Sequence, residues 1–180
     1  YIADGYFNHR VIVFDANTGA YKRHWGAYGK KPTDEKLPPY SPAAAPSPQF
    51  GNPVHCVKIA KDGLVYICDR ANDRIQVFRK DGTFVKEFII EKNTLRAGSV
   101  WDLDFWIDPK QTYLLNADGT NNEVRTLRRE TGEIVGAFGA DDLVVERADD
   151  AEIDRGITRI FRVVRLHEDV ARVHVRMEEI

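Results

Sequence analysis

Hydrophobic and polar residues alternate along short stretches of residues 1–139, and each stretch ends at a turn signal. Alternation with a period of two is typical of half-buried β-strands. The Asp-Gly and Thr-Gly pairs beside these stretches are typical of hairpin turns. In residues 51–88, turns separate the runs PVHCVKIA, LVYICD, RIQVF and TFVKEF. This region therefore predicts four consecutive antiparallel strands.

The same order of features occurs three times along the chain. An Asp ends a strand-like run, a turn with Asn follows, and an alternating segment leads to a second turn with Gly; the Asp residues are Asp4, Asp69 and Asp118. The third copy again has four predicted strands, whereas the first lacks its opening strand. Four-stranded units at this period are typical of β-propeller blades. We therefore predict an all-β fold for residues 1–139: an incomplete propeller of about two and a half to three blades.

The polar residues of each copy have a local structural interpretation. Asn in the turn can bond to nearby backbone groups. Arg10 and Arg74 follow the turn and are expected to pair with the Asp five or six residues earlier, while the third copy has Glu123 at that position. The polar cluster is thus predicted to close a hairpin, and the apolar residues behind it to pack against the neighbouring sheet.

The sequence of Asp, Asn, Arg-Ile-x-Val-Phe and Asp-Gly resembles the NHL repeat, and this resemblance covers residues 1–139. It implies a six-bladed β-propeller family with four antiparallel strands per blade. In such a propeller the first strand of each blade lines the central channel. His55, in the opening strand of the second copy, is then expected to face that channel.

A closer resemblance comes from ADGYFNHRVIVF, the long loop after it, PVH and VYICDRANDRIQVF. Together they look like the lyase domain of peptidylglycine α-amidating enzymes and their bacterial relatives. That family cleaves peptidyl-α-hydroxyglycine to an amide and glyoxylate with three channel histidines on zinc, an arginine and a tyrosine. The resemblance implies that Arg10 is the catalytic arginine and His55 a zinc ligand. At the tyrosine's position the strand SVWDLDFWID offers Trp101 or Phe105, which have no phenol for acid or base chemistry.

A zinc site needs about three protein ligands, and the repeats give His55 no obvious companions. His9 and His24 fall in a predicted turn and an outer strand, and His167 and His174 fall in the C-terminal tail. We therefore expect this chain alone to be inactive and not to bind Zn²⁺ stably, although a complete parent protein would bind it.

Other interpretations of these residues remain open. His55 has a structural alternative, a hydrogen-bonded histidine near the channel, and Arg10 has one in the hairpin role expected for Arg74. The alternative function is a non-catalytic NHL propeller scaffold that binds a protein, a peptide or a small-molecule ligand. These two functions differ in whether His55 is required.

Two regions do not follow the repeat. Residues 30–50 are rich in proline, which favours an extended polyproline-like loop between blades; the alternative is a lid over one propeller face. Residues 140–180 contain seven Arg and no Lys, with one Gly and no Asn, Pro or Tyr. This atypical tail is expected to be foreign to the propeller, as a reading-frame change would make it; the alternative is a separate α/β tail.

Charge and composition restrict the partners. With 26 basic and 28 acidic residues the formal net charge is −2, so no strong positive field attracts nucleic acid or an anionic membrane. No apolar run is long enough to predict a membrane span. The chain begins at Tyr1 without a leader, which suggests a trimmed or partial sequence, and the family resemblance favours an extracytoplasmic or secreted location.

The two cysteines lie in neighbouring predicted strands. Folding VHCVKIA and LVYICD about their turn places Cys56 and Cys68 roughly opposite each other. Because Cys is among the most buried residue types, two buried free thiols are the preferred interpretation, with a cross-strand disulfide as the alternative.

Overall fold

The computed structural model describes residues 1–139. Within them the chain forms β-strands joined by turns, with two short 3-10 turns at Ala27–Gly29 and Arg70–Asn72. The strands are β1 (Ile2–Asp4), β2 (Arg10–Phe14), β3 (Tyr21–Trp25), β4 (Val54–Ile59), β5 (Val65–Asp69), β6 (Arg74–Phe78), β7 (Phe84–Ile89), β8 (Asp102–Phe105), β9 (Tyr113–Asp118), β10 (Glu123–Arg128) and β11 (Ile134–Gly139). The all-β prediction is confirmed for this part of the chain.

The strands form three small antiparallel sheets. The first sheet has the order β1-β2-β3, the second β4-β5-β6-β7 and the third β8-β9-β10-β11. Neighbours in each sheet are consecutive in sequence, because hairpin turns join them. The two predicted four-stranded units are therefore present, and the first copy has three strands, as its missing opening strand predicted.

The second sheet buries residues on both of its faces. On β5, Val65 and Ile67 belong to a core cluster that also contains residues of the first sheet. Tyr66 and Cys68, which alternate with them, belong to a second cluster that contains residues of the third sheet. Because successive side chains of a strand point to opposite faces, one strand contributes to both cores. The predicted packing of apolar residues against neighbouring sheets is confirmed.

The predicted hairpin cluster is also confirmed. In the second sheet Arg74 donates from Nε to Oδ2 of Asp69 across 2.6 Å, and Asn72 donates to the same oxygen across 2.9 Å. The first sheet has a similar cluster at Asp4, where Arg10 donates to Oδ2 across 2.6 Å and Asn8 donates to Oδ1 across 2.9 Å.

The third sheet obtains its arginine from a different position. Glu123 lies opposite Asp118 in the strand register, but Arg125 donates from Nε to Oδ2 of Asp118 across 3.2 Å. Glu123 occupies the register position that Arg10 and Arg74 have in the other sheets. Residues two positions apart share one face of a strand, so Arg125 can reach Asp118 in place of that arginine. The side chains of Arg125 and Glu123 also form an ion pair of 2.7 Å.

The prediction of free thiols is wrong, because Cys56 and Cys68 form a disulfide. The two residues are direct partners in the register of β4 and β5, with their Cα atoms 4.8 Å apart. This separation lies within the range that disulfides span. The burial of the two cysteines agrees with the prediction. The bond between them forms because they lie directly opposite each other on the two strands.

Residues 30–50, all of which the structure describes, contain no helix or strand, as their proline content predicted. The segment is held in part by Tyr40, whose hydroxyl donates to the carbonyl of Lys92 across 2.6 Å. Residues Tyr1–Ala137 form one compact unit. The predictions for residues 140–180 lie outside the described residues, and within the described part no helix has the length and apolar character of a membrane span.

Candidate functional site

His55 lies in an irregular part of the second sheet. In the pairing of β4 with β5, Val54 is opposite Asp69 and Cys56 is opposite Cys68, so His55 is the extra residue between two register pairs. A β-bulge of this kind redirects a side chain and is common beside active sites. The backbone thus gives the imidazole an orientation that a regular strand would not give.

The imidazole of His55 has a defined hydrogen-bond partner. Its Nδ1 contacts the backbone carbonyl oxygen of Trp101. A carbonyl only accepts hydrogen bonds, so Nδ1 carries the proton, and in the neutral ring Nε2 has the free lone pair. A backbone carbonyl in this role also orients histidines that bind metals in other proteins. The ring is therefore prepared to offer Nε2 to a ligand or a metal.

A phenol lies beside this imidazole. The ring centroid of Tyr6 is 6.3 Å from that of His55, and Tyr6 is 64% exposed. The strand SVWDLDFWID predicts Trp101 or Phe105 at the tyrosine's position, and the sequence pattern does not single out Tyr6. The signal was present in the first repeat as the Tyr of ADGYFNHR, but only the folded chain places that loop against β4.

Close backbone packing holds the loop of residues 5–9 against the start of β4. A Cβ atom placed on Gly5 would lie 2.1 Å from the carbonyl oxygen of Val54, so only glycine fits this position. His9 contacts the carbonyl oxygen of Phe50 through Nδ1 at 2.8 Å. These contacts bring the loop that precedes Arg10 and the strand that carries His55 together at one edge of the fold.

Arg10 differs from the other two arginines of the repeat in its free donors. In the second sheet Arg74 donates from Nη1 to Tyr28 and from Nη2 to the carbonyl of Gln49. In the third sheet both terminal nitrogens of Arg125 form ion pairs with glutamates. Arg10 uses Nε for Asp4, and its terminal N–H groups have no partner within residues 1–139. It thus keeps donors that the others have used.

The carboxylate that holds Arg10 stays ionised over a wide pH range. Partial burial alone would raise the pKa of Asp4, but hydrogen bonds from Asn8 and Arg10 and the charge of Arg10 lower it below its ordinary value. A fixed negative charge on Asp4 therefore accompanies the guanidinium. The ion pair with Asp4 positions Arg10 through Nε and leaves the terminal N–H groups of the guanidinium unpaired within residues 1–139.

Arg70 is a further cation at this edge that the sequence analysis missed. Its guanidinium stacks on the ring of Trp101, with Cζ 4.7 Å from the ring centroid. Among residues 1–139 it has no ion-pair partner, and its Nε is buried without a hydrogen bond. Stacking on an indole stabilises such a charge while leaving the donors of the guanidinium available. His55 thus has a phenol beside it and, through Trp101, a stacked guanidinium; Arg10 lies at the start of β2, after the loop that carries Tyr6.

The described residues supply one imidazole toward a zinc site and not a full set of ligands. Within residues 1–139 the structure brings one group of three potential metal donors together. These are Cys56, Cys68 and Asp102, whose ligand atoms lie within 4.8 Å of one another. Both sulfurs are in the disulfide and are therefore not thiolates. His9 and His24 are engaged elsewhere, with Phe50 and Tyr21 respectively. His55 fits as one ligand, but these residues do not fit a complete site.

Comparison with known proteins gives one relative of known activity. The chain is 36% identical over 88 residues to peptidyl-glycine alpha-amidating monooxygenase B of Xenopus laevis, a match that covers 48% of this chain and 9% of the relative. No protein-family model matches the sequence. A solved structure of a protein of unknown function from Bacteroides caccae aligns with a TM-score of 0.46 and 15% identity, covering 86% of this chain and 43% of that one. The chain thus has partial similarity to an amidating enzyme and spans less than a tenth of its length.

Proposed function

We propose that this chain is part of a β-propeller related to the lyase region of peptidylglycine α-amidating enzymes. The observation that carries the proposal is the identity of 36% over 88 residues to an amidating monooxygenase. The Arg10 and His55 motifs of the sequence analysis support the same family. The chemistry is cleavage of a peptidyl-α-hydroxyglycine to a peptide amide and glyoxylate.

The arrangement of the sheets supports a propeller with radial blades. The first strand of the second sheet, β4, contacts both β1 and β8 of the neighbouring sheets. Contact among such strands is expected where blades converge on an axis, while the outer strands diverge. In this proposal β4 and β8 are the innermost strands, and His55 faces the axis of a channel that additional blades complete.

Tyr6, Arg10 and His55 have side chains that suit the proposed reaction. Cleavage removes the proton of the α-hydroxyl group, forms the carbonyl of glyoxylate as the carbon–nitrogen bond breaks, and returns a proton to the departing amide nitrogen. Tyr6 has the phenol for a proton transfer of this kind. The open donors of Arg10 suit the terminal carboxylate of the substrate, because a guanidinium binds a carboxylate with two parallel hydrogen bonds. His55 supplies one ligand of a zinc ion, which polarises oxygen atoms when it is bound.

This chain by itself is proposed to be inactive. A catalytic zinc ion requires about three protein ligands, and the described residues supply one. The disulfide also favours an extracytoplasmic location, because such bonds form and persist in oxidising compartments. A peptide or a small-molecule ligand remains the proposed partner.

Titration of the purified chain with a peptidyl-α-hydroxyglycine, followed by NMR, tests the proposal. We expect weak binding that shifts the signals of Tyr6, Arg10 and His55, and weaker binding after Arg10→Ala. The matched control is Arg79→Ala, which removes an exposed arginine in the turn between β6 and β7 that makes no ion pair within residues 1–139. Site signals that do not respond to the peptide, or an equal loss of binding in both variants, would contradict the proposal.

Zinc analysis and an assay for glyoxylate test the expected inactivity. Less than about a tenth of an equivalent of zinc should copurify with the chain, because one imidazole binds the ion weakly. No glyoxylate should form above the level seen with His55→Ala. Stoichiometric zinc together with turnover would show that this chain alone contains a complete site.

The second candidate is a non-catalytic scaffold, and the exposed face of the first sheet favours it. Ile2, Phe14 and Tyr21 are 51%, 37% and 55% exposed, and apolar surface of this kind often marks an interaction site. A scaffold predicts that His55→Ala leaves partner binding intact and that Ile2→Lys weakens it. Loss of all binding in His55→Ala would favour the enzyme-related site instead.

A further inference from the structure

The disulfide is adjacent in sequence to both halves of the candidate site. Cys56 directly follows His55 on β4, and Cys68 is two residues before Arg70. The bond therefore joins the strand that carries the imidazole to the strand that leads into the stacked guanidinium. Between the two cysteines the chain spans 12 positions, so the bond closes a tight hairpin.

The bulge leaves His55 without a direct partner across the two strands. The residue is flanked by the Val54 and Asp69 pair on one side and by the two cysteines on the other. A bulged residue lies outside the regular ladder of hydrogen bonds. Its conformation therefore depends on how firmly the flanking pairs are held, and one of these pairs is covalent.

The contacts of the site form a closed ring that includes the disulfide. His55 donates from Nδ1 to the carbonyl of Trp101, and the guanidinium of Arg70 lies over the Trp101 ring at 4.7 Å. From Arg70 the backbone leads through Asp69 to Cys68, and the disulfide returns to Cys56 beside His55. In this closed loop of contacts the disulfide is the covalent cross-link between segments. The other two contacts, His55 with Trp101 and Trp101 with Arg70, are non-covalent.

We propose that the Cys56 and Cys68 disulfide is the positioning element of this site. It holds the bulge in one conformation, so that His55 donates from Nδ1 and presents an unprotonated Nε2. Reduction breaks the bond between the sulfurs: each Sγ gains one hydrogen, and an external thiol or phosphine supplies the two electrons and is oxidised. The bulge is then held on this side by strand pairing and packing without a covalent bond, and His55 populates both tautomers. The use made of Nε2 rests on the proposed function, but the positioning itself does not.

The tautomer of His55 can be measured directly by NMR of the chain with ¹⁵N-labelled histidine. At about pH 8.5 an ordinary imidazole is neutral, and the two ring nitrogens then report which one carries the proton. His55→Gln assigns the signal. We expect one Nδ1-protonated form in the oxidised chain and, in the Cys56→Ala/Cys68→Ala variant, a measurable loss of that form to the Nε2-protonated tautomer.

A matched control separates positioning from a general loss of stability. Val77→Ala removes buried volume on β6 from the same core cluster that contains both cysteines, and it changes no residue of β4 or of the disulfide. We expect this variant to keep the single tautomer of His55. A single tautomer in the double cysteine variant, or its loss in Val77→Ala, would overturn the proposal.

Reduction of the wild-type chain provides the second arm if the double variant does not fold. A phosphine reductant leaves both side chains in place, and the mass gain of two hydrogens confirms that the bond is broken. The Nδ1-protonated form of His55 should again decrease, and an unchanged signal would refute the positioning role. Neither arm uses substrate or zinc, so its outcome is independent of the peptide titration that tests the proposed function.

Discussion

Arg74 donates from Nε to Oδ2 of Asp69 across 2.6 Å, and the two side chains are only 1% and 0% exposed. Arg10 makes the same 2.6 Å contact with Asp4, but there the side chains are 34% and 26% exposed. The repeat thus builds this ion pair from the same two positions twice, once inside the protein and once near its surface. Solvent screens the outer pair, whereas removal of one partner from the inner pair leaves a buried charge.

We expect Arg74→Met to reduce the free energy of unfolding by about 3–5 kcal/mol, because Asp69 would remain buried without its cation. Arg10→Met should cost at most about 1 kcal/mol, because its pair is partly solvated. Urea unfolding of both variants measures the difference. Equal losses would show that burial does not determine the strength of this repeated pair.

Gly5→Ala is expected to disrupt the loop that carries Tyr6. The new Cβ would lie 2.1 Å from the carbonyl oxygen and 2.2 Å from the nitrogen of Val54, so backbone must move. The cost should be at least about 1–3 kcal/mol of unfolding free energy, the usual range for overpacking. Gly136→Ala is the control, because a Cβ there meets nothing within 4 Å. If thermal unfolding finds both variants equally stable, the loop does not pack against β4 in this way.

Asp73 should make stability depend on pH. Burial raises the pKa of Asp73 from 3.8 to about 6, against an opposing hydrogen bond from the backbone N–H of Ser99. The folded chain therefore holds an extra proton between these two pKa values, and stability from this group falls as pH rises through that window. Asp73 has φ of 51°, a conformation that Asn also tolerates.

Asp73→Asn tests this dependence because the amide resembles the protonated carboxyl group. From about pH 4 to pH 7 the variant should gain on the order of 2–3 kcal/mol of unfolding free energy relative to the wild type. Urea unfolding at the two pH values gives the comparison. A constant difference between the two proteins would mean that the carboxyl group of Asp73 titrates alike in the folded and unfolded chains.

Loss of the disulfide should lower stability as well as loosen the site. Cys56 and Cys68 are 12 positions apart. Closing a loop of this length lowers the entropy of the unfolded chain and raises its free energy by about 3 kcal/mol. The Cys56→Ala/Cys68→Ala variant should lose about this amount in urea unfolding. Addition of a reductant should destabilise the wild type and leave the variant unchanged, and a variant as stable as the wild type would contradict this expectation.

The sequence alone determined the sheets and their internal order. Alternation with a period of two and glycine turns are local properties, so the four strands of residues 51–88 and their hairpin connections followed directly. The partnership of Arg10 with Asp4 was also predictable, because the register of one hairpin fixes it. Local spacing was less informative in the third copy, where Arg125 rather than position 123 supplies the cation.

Tertiary structure decided which distant segments form the site. Tyr6 and Trp101 lie beside His55 although both are more than forty positions away from it, and the alternation along the chain does not indicate these contacts. By contrast, the register of a single hairpin places Cys56 opposite Cys68, and the sequence indicated this opposition without deciding between free thiols and a disulfide. Hairpin geometry follows from neighbours along the chain, but side chains from different sheets meet only when the sheets pack, which depends on burial summed over the whole core.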